Sequence, residues 1–141
     1  MNDIMDWKLC ESKFIRKVGK DEEKIASILD TAEKRLAFIK SNEVSIENVS
    51  FIVEGYYEIV KEMLVAFLLK NGLKSSNHQC LISYFYKEHP DYEFEAKLIF
   101  QMSYLRNRLN YYGEKIDMEF YNKNKEEFGK LINLIKGIIL D

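Results

Sequence analysis

The stretch "IENVSFIVEGYYEIVKEMLVAFLLKNG", residues 46–72, decides the fold. Apolar side chains recur in it every three or four residues, which is the spacing of one face of an α-helix. These side chains are Val49, Ile52, Val53, Tyr56, Val60, Met63 and Phe67. The second half is apolar on nearly every side, so the helix predicted over about Ile46–Asn71 should be central to a bundle or shared with a partner.

Helices are also predicted before and after the central one. Asp21 can cap a first long helix, and Ser45 can cap the central helix itself. Farther on, Ser76 and Gln79 match a capping box, in which a serine and a glutamine three residues later satisfy backbone N–H groups of a helix start. The short third helix that begins there should stop at the His-Pro pair, residues 89–90.

The C-terminal half of the chain continues the helical pattern. A fourth helix is predicted over about Tyr92–Tyr112, with Gly113 closing it, and a fifth after Asp117. We find no strand alternation, internal repeat or low-complexity segment in the sequence. The predicted fold is an all-α helical bundle, with a leader or arm at residues 1–20 and a single domain at residues 21–141.

Composition limits the class of protein. The 141 residues are enough for one domain with a core, and a net charge of -2 argues against indiscriminate binding to nucleic acid or to an anionic membrane. We expect no signal peptide, and the longest apolar run is too short to cross a bilayer. Cys10 and Cys80 form neither a redox motif nor a zinc knuckle, so we expect two free thiols in a reduced, cytoplasmic protein.

Metal and cofactor chemistry is not expected from this sequence. His78 and His89 lie on either side of the short third helix, without an acidic pair at ligand spacing. Glycine-rich phosphate loops are absent from the sequence, and nothing in it places a base beside a nucleophile. We therefore expect both histidines to be structural.

The polar segment "YLRNRLNYYGEK", residues 104–115, ends the fourth helix. Arg106 lies at the edge of the buried stripe, one turn before Asn110, so its guanidinium needs a carboxylate partner. Glu54 and Glu58, one turn apart on the central helix, are the expected source. Two interpretations stay open: a structural salt bridge, or an arginine presented by the helix to bind phosphate.

The arginine-asparagine pair Arg106-Asn107, followed by aromatic residues and a glycine, resembles the signature of HEPN domains, the higher eukaryotes and prokaryotes nucleotide-binding helical bundles. The stretch "GYYEIVKEMLVAFLLKNGLKSSNHQCLISYF", residues 55–85, is similar to the family's other recognisable region. The leader "CESKFIRKV", residues 10–18, also looks like the start of stand-alone archaeal members. The resemblance covers about Asp21–Leu140.

This resemblance implies a four- to five-helix up-and-down bundle that forms a homodimer, in which the polar motifs of two protomers face a shared cleft. Many family members are metal-independent ribonucleases of toxin–antitoxin or defence systems, and some act beside a small nucleotidyltransferase. Their catalytic signature is an arginine followed, after a short gap, by a histidine. Arg106 matches the arginine, but Tyr111 or Tyr112 stands where the histidine belongs. Tyrosine, with a reference pKa near 10, is a poor base at neutral pH.

We therefore predict a degenerate, non-catalytic HEPN protein that binds RNA, a nucleotide or an antitoxin-type partner protein. The predicted ligand-binding residues are Arg106, Asn107, Asn110 and Tyr111, around a cleft lined by Glu54 and Glu58. The first alternative is a metal-independent endoribonuclease in which Tyr111 or Tyr112 replaces the histidine. The second is an arginine that only stabilises the bundle or the dimer.

Overall fold

The computed structural model describes residues 3–141, so residues 1 and 2 of the predicted leader lie outside the described residues. The described chain is mostly helical, with six α-helices, one 3₁₀ turn and two short strands. In chain order these are α1 Trp7–Lys13, β1 Ile15–Lys17, α2 Glu22–Lys40, α3 Val49–Lys70, β2 Leu73–Ser75, α4 His78–Glu88, the 3₁₀ turn Pro90–Tyr92, α5 Glu93–Tyr112 and α6 Met118–Leu140. The five predicted helices correspond to α2–α6, and α1 is a sixth.

Helix α3 is the central element, as its apolar second half predicts. It packs against α2, α4, α5 and α6, and most of its residues are buried. Near its start, Gly55 lies against Ile39 at the end of α2, so these two helices run in opposite directions. Ser50 accepts a hydrogen bond from the backbone N–H of Ile116, just before α6, and Lys70 donates to the Ile138 carbonyl near its end. Helices α3 and α6 therefore run in the same direction.

Two of the three predicted helix caps are wrong by residue. Asp21 accepts a hydrogen bond from the backbone N–H of Lys24, as predicted, and Asp117, after which the fifth helix is predicted, accepts one from the N–H of Glu119. Helix α3, however, starts after Asn48, whose side chain bonds back to the N–H of Ser45 in a preceding turn. The cap of α4 is Asn77, which accepts from the N–H of Gln79. Asparagine takes both places because its short amide bonds readily to nearby backbone.

The glycines that follow α3 and α5 have left-handed backbone conformations. Gly72 follows α3 with φ +73° and Gly113 follows α5 with φ +67°. Such values are strained for residues that carry a Cβ atom, which explains why glycine occupies both positions. Together they set where α3 and α5, the two helices that carry the polar residues of interest, turn back into the bundle.

The sequence pattern does not predict the two strands. Strand β1 pairs with β2 in an antiparallel sheet in which Ile15 lies opposite Ser75 and Lys17 opposite Leu73. Three residues are too few for an alternating pattern to be recognised, and the pairing joins segments far apart in the chain. Its consequence is that the leader is fixed to the turn between α3 and α4.

The expectation of two free thiols is wrong. Cys10 on α1 and Cys80 on α4 form a disulfide, with Cα atoms 5.5 Å apart and 70 residues of sequence separation. The pairing of β1 with β2 and the packing of α1 on α4 bring the two cysteines together, and sequence spacing cannot show this. Disulfides are unusual in a reducing cytoplasm, so free thiols no longer support the predicted cytoplasmic location.

Between residues 3 and 141, no helix is long and apolar enough to span a membrane.

Candidate functional site

Arg106 on α5 is the centre of a half-buried polar cluster. Its Nη2 lies 3.3 Å from Oε1 of Glu58 on α3, and both side chains are 23% exposed. Nη1 donates to Oδ1 of Asn107 at 3.2 Å. With the Asn110 amide oriented to satisfy its neighbours, its oxygen accepts from Arg106 Nε at 3.2 Å and its nitrogen donates to Glu54 Oε2 at 2.9 Å. The structure thus brings together Arg106, Asn107, Asn110, Glu54 and Glu58.

A second cation completes the pairing of Glu58. Lys61 Nζ lies 2.8 Å from Glu58 Oε2, and the Lys61 side chain is only 12% exposed. The same nitrogen is 3.7 Å from Glu62 Oε1. The carboxylate of Glu58 is therefore shared between Lys61 on its own helix and Arg106 on α5. The sequence predicted the glutamate–arginine pair but not the lysine.

A row of buried polar side chains lies beneath this cluster. The Tyr57 ring is buried, with its centroid 6.0 Å from the Arg106 guanidinium carbon. Burial raises the pKa of Tyr57, and a hydrogen bond with Ser103 and the charges of Lys61 and Arg106 partly offset this. Ser103 also accepts a hydrogen bond from Gln79 Nε2 at 2.8 Å. These contacts join the first turn of α4 to α3 and α5.

His78 is the residue that sequence reasoning missed. It is the first residue of α4, and its side chain is exposed. Partial desolvation lowers its pKa below the ordinary value of 6.5, assisted by the charges of Lys61 and Arg106 and opposed by those of Glu58 and Glu62. The lowered pKa favours the neutral imidazole, which lies within electrostatic range of the cluster. Its place in a first turn is readable from sequence, but spacing along one helix cannot show which neighbouring helix it approaches.

The two tyrosines proposed to replace the histidine lie outside the cluster. Tyr111 and Tyr112 are 73% and 70% exposed. The Tyr112 ring lies 4.8 Å from the guanidinium carbon of Arg108, which is paired in turn with Glu114 through two hydrogen bonds. That pairing raises the pKa of Arg108 and lowers the pKa of Glu114. No hydrogen bond between described residues joins either tyrosine to Arg106.

The donors of the cluster fit an oxyanion better than a metal ion. Across residues 3–141, no group of three or more His, Cys, Asp or Glu side chains is arranged to hold a metal. The cluster instead offers a guanidinium, an ammonium and two carboxamides, which recognise phosphate and polar edges through hydrogen bonds. Its carboxylates hold the cations in position.

Comparison with known proteins gives no assignment. No protein-family model matches the chain, and no curated protein or solved structure matches it either.

Proposed function

We propose that this protein is a HEPN-like, non-catalytic module that binds RNA or a nucleotide through the phosphate group, with Arg106 as the principal contact. The HEPN-like part of the proposal is supported by the sequence resemblance and by the placing of the Arg106-Asn107 pair against the acidic edge of α3. Glu54 contacts Asn110 and Glu58 contacts Arg106, so the residue numbers rise along α3 as they fall along α5. The two helices are therefore antiparallel, as in an up-and-down bundle.

The observation that carries the binding proposal is the partly open, pre-positioned guanidinium of Arg106. A guanidinium has five N–H donors. One N–H donor of Nη2 is used by Glu58, one of Nη1 by Asn107, and the single N–H of Nε by Asn110. Two donors, one on each terminal nitrogen, are left by these contacts for a phosphate oxygen, in a group that has already lost most of its rotational freedom.

Glu58 competes with a phosphate for the same arginine, but its second oxygen lessens the conflict. Because Lys61 lies 2.8 Å from Glu58 Oε2, the carboxylate keeps a cationic partner when Arg106 binds a phosphate. The cluster also holds Arg106 at the edge of α5, where it is 23% exposed. A buried structural pair would have no comparable opening to solvent.

Binding is tested with labelled single-stranded and hairpin RNA, and with mononucleotides, in buffer that contains EDTA. Arg106→Ala should weaken binding by about tenfold or more, because a charge-assisted hydrogen bond is lost. Arg16→Ala is the control, since Arg16 is an exposed arginine on β1 that belongs to neither the arginine cluster nor its neighbouring helices. Equal affinity of the wild-type protein and Arg106→Ala would overturn the proposal, and Arg106-dependent cleavage would overturn its non-catalytic part.

A metal-independent endoribonuclease is the second candidate function, and His78 is the observation in its favour. A neutral imidazole could take the proton of an RNA 2′-hydroxyl while that oxygen bonds to phosphorus. The P–O5′ bond then breaks, and the 5′ oxygen takes up a proton. This candidate predicts EDTA-resistant cleavage that is lost in His78→Ala. Cleavage lost in Tyr111→Phe or Tyr112→Phe instead would favour the tyrosine alternative.

A homodimer is also part of the proposal. Phe38 of α2 and Phe51 of α3 are exposed and line a groove of about 470 Å³. Phe51 lies on the same edge of α3 as Glu54 and Glu58, at helical spacing. A second protomer that covered Phe51 would therefore bring two polar clusters to one interface. Sedimentation of the wild-type protein and of Phe51→Asp tests whether this surface forms a dimer.

A small nucleotidyltransferase is the proposed antitoxin-type partner.

A further inference from the structure

A cleft of about 400 Å³ lies beside the arginine cluster, on another face of α5. Its volume is in the range of small-molecule sites. It is lined by a short leader segment, the first turn of α4 and one face of α5; the lining residues are Asp3, Met5, Gln79, Phe100, Tyr104 and Asn107. Neither the sequence resemblance nor the proposed phosphate contact gives this cleft a role.

The α5 side of the cleft is aromatic at one end and polar at the other. Phe100, Tyr104 and Asn107 follow one another at spacings of four and three residues, so they line one face of the helix. Tyr104 is 39% exposed and Phe100 is partly buried. Partly exposed aromatic rings are suited to stacking on a planar heterocycle, and the Arg108 guanidinium already lies over the Tyr104 ring, 5.8 Å from its centroid.

The polar groups of the cleft are rich in hydrogen-bond acceptors. Gln79 Nε2 is engaged with Ser103, while Gln79 Oε1 is buried and accepts no hydrogen bond from any residue between 3 and 141. The Asp3 carboxylate accepts one bond, from the N–H of Ile4 at 2.7 Å, and has a second oxygen. A ligand that reaches these groups gains most if it carries N–H donors.

Asn107 connects the cleft to the arginine cluster. Its Oδ1 accepts from Arg106 Nη1 at 3.2 Å, and the same residue lines the cleft. Ser103, which holds Gln79, lies one turn before Asn107 on α5. A molecule bound in the cleft therefore has its polar end next to the arginine that is proposed to bind phosphate.

We infer that the cleft between Gln79, Tyr104 and Asn107 binds a nucleobase that carries an exocyclic amino group, from a nucleotide whose phosphate contacts Arg106. The inference rests on the proposed function and deepens it. Adenine, cytosine and guanine present amino N–H groups to acceptors, whereas uracil has none. Tyr104 and Phe100 supply the stacking surface, and Gln79 and Asp3 supply the acceptors.

Both a free nucleotide and an unpaired base of RNA present this chemistry, so the experiment has an arm for each source. Affinities are measured for the four ribonucleoside 5′-monophosphates, for ribose 5-phosphate, which lacks a base, and for homopolymeric tetranucleotides. Tyr104→Ala and Gln79→Leu are compared with wild type. Phe94→Ala is the matched control, because Phe94 is an exposed aromatic residue on α5 that is not among the lining residues of this cleft. Circular dichroism and thermal melting verify that each variant is folded.

We expect Tyr104→Ala to weaken binding of the amino-bearing bases by about tenfold and to leave ribose 5-phosphate unchanged. Uridine compounds should bind the wild-type protein more weakly than the other three. Stronger binding of tetranucleotides than of monophosphates would identify RNA as the source, and the reverse would identify the free nucleotide. Binding that depends on Arg106 but not on Tyr104 or Gln79 would overturn the inference alone. If no probe binds at all, the proposed function falls with it.

Discussion

Arg106 Nη2 lies 3.3 Å from Glu58 Oε1, and this contact between α5 and α3 is only half of the pairing of that carboxylate. The other oxygen, Oε2, is 2.8 Å from Lys61 Nζ. Two cations and one carboxylate therefore share a half-buried site. The consequences of removing each partner are unequal, because only the removal of Glu58 leaves two like charges facing each other.

The first prediction is that Glu58→Ala destabilises the fold more than Arg106→Ala does. Loss of Arg106 leaves Glu58 paired with Lys61 and should lower the unfolding free energy by about 1 kcal/mol. Loss of Glu58 leaves Arg106 and Lys61 without their shared anion, and should lower it by about 2–3 kcal/mol. Urea denaturation measures both values.

The control for this comparison is an exposed ion pair. Lys34→Ala removes the partner of Asp30 in a pair whose side chains are 77% and 61% exposed, and should change stability by less than about 0.5 kcal/mol. If Arg106→Ala lowered the free energy of unfolding as much as Glu58→Ala does, Glu58 would not be shared between Arg106 and Lys61 as proposed. Arg106 would then be a purely structural residue.

The second prediction concerns pH and His78. Partial desolvation and the nearby cations lower the folded-state pKa of His78 below 6.5. As pH falls below 6.5, the unfolded state takes up a proton that the folded state still rejects, so this histidine's contribution to stability declines. Stability should therefore rise with pH from the lowered pKa up to 6.5, and His78→Ala should flatten that slope.

Two measurements check the behaviour of His78. Urea denaturation at a series of pH values gives the slope for the wild-type protein and for His78→Ala. An NMR titration follows the imidazole protons directly, and the two histidines of the chain are assigned with His78→Ala and His89→Ala. A titration midpoint of His78 at or above 6.5 would contradict the predicted lowering of its pKa.

The third prediction is that the Cys10–Cys80 disulfide contributes substantially to stability. It closes a loop with a sequence separation of 70 residues, for which the loss of chain entropy in the unfolded state corresponds to about 4 kcal/mol. Dithiothreitol should lower the melting temperature of the wild-type protein. The double variant Cys10→Ala/Cys80→Ala should melt at the lower temperature with or without the reductant. Detection of two free thiols in unfolded, unreduced protein would refute the disulfide.

The fourth prediction contrasts two glycines. Gly137 lies within α6, and a Cβ atom added there would meet no described atom within 4 Å, so Gly137→Ala should stabilise the protein by about 0.5–1 kcal/mol. Gly113 has φ +67°, so Gly113→Ala should destabilise it by about 1 kcal/mol. Thermal unfolding measures both changes, and opposite signs are required. A loss of stability in Gly137→Ala would mean that this face of α6 is covered.

Much of the fold could be predicted because it depends on local patterns. The stripe of α3 and its apolar second half predict a central helix, and most of its residues are buried. Asp21 and Asp117 predict helix starts, and Gly113 a helix end, because each acts on backbone within a few residues. The prediction at Ser76 failed because the neighbouring Asn77 caps α4 instead, and the prediction at Ser45 failed because α3 begins only after Asn48.

The site could be predicted only in part, for a related reason. Arg106 lies at the margin of a buried stripe, so a carboxylate partner could be expected from periodicity and from the cost of an unpaired buried charge. Glu58 fulfils that expectation. The role of Lys61 was missed because a lysine on an acidic helix edge is usually solvated. The geometry gives no support to Tyr111 or Tyr112, which share a helix with Arg106 but face solvent.

By itself, the sequence determined the helices, their approximate ends and the need of Arg106 for an anion, since these depend on local periodicity and on desolvation. Only the tertiary structure decided that His78 lies within electrostatic range of Lys61 and Arg106, that Cys10 meets Cys80, and that Gln79 and Tyr104 share a cleft. These relationships join segments that are far apart in the chain. They depend on how the helices rotate and pack around α3, about which the spacing of residues within one helix carries no information.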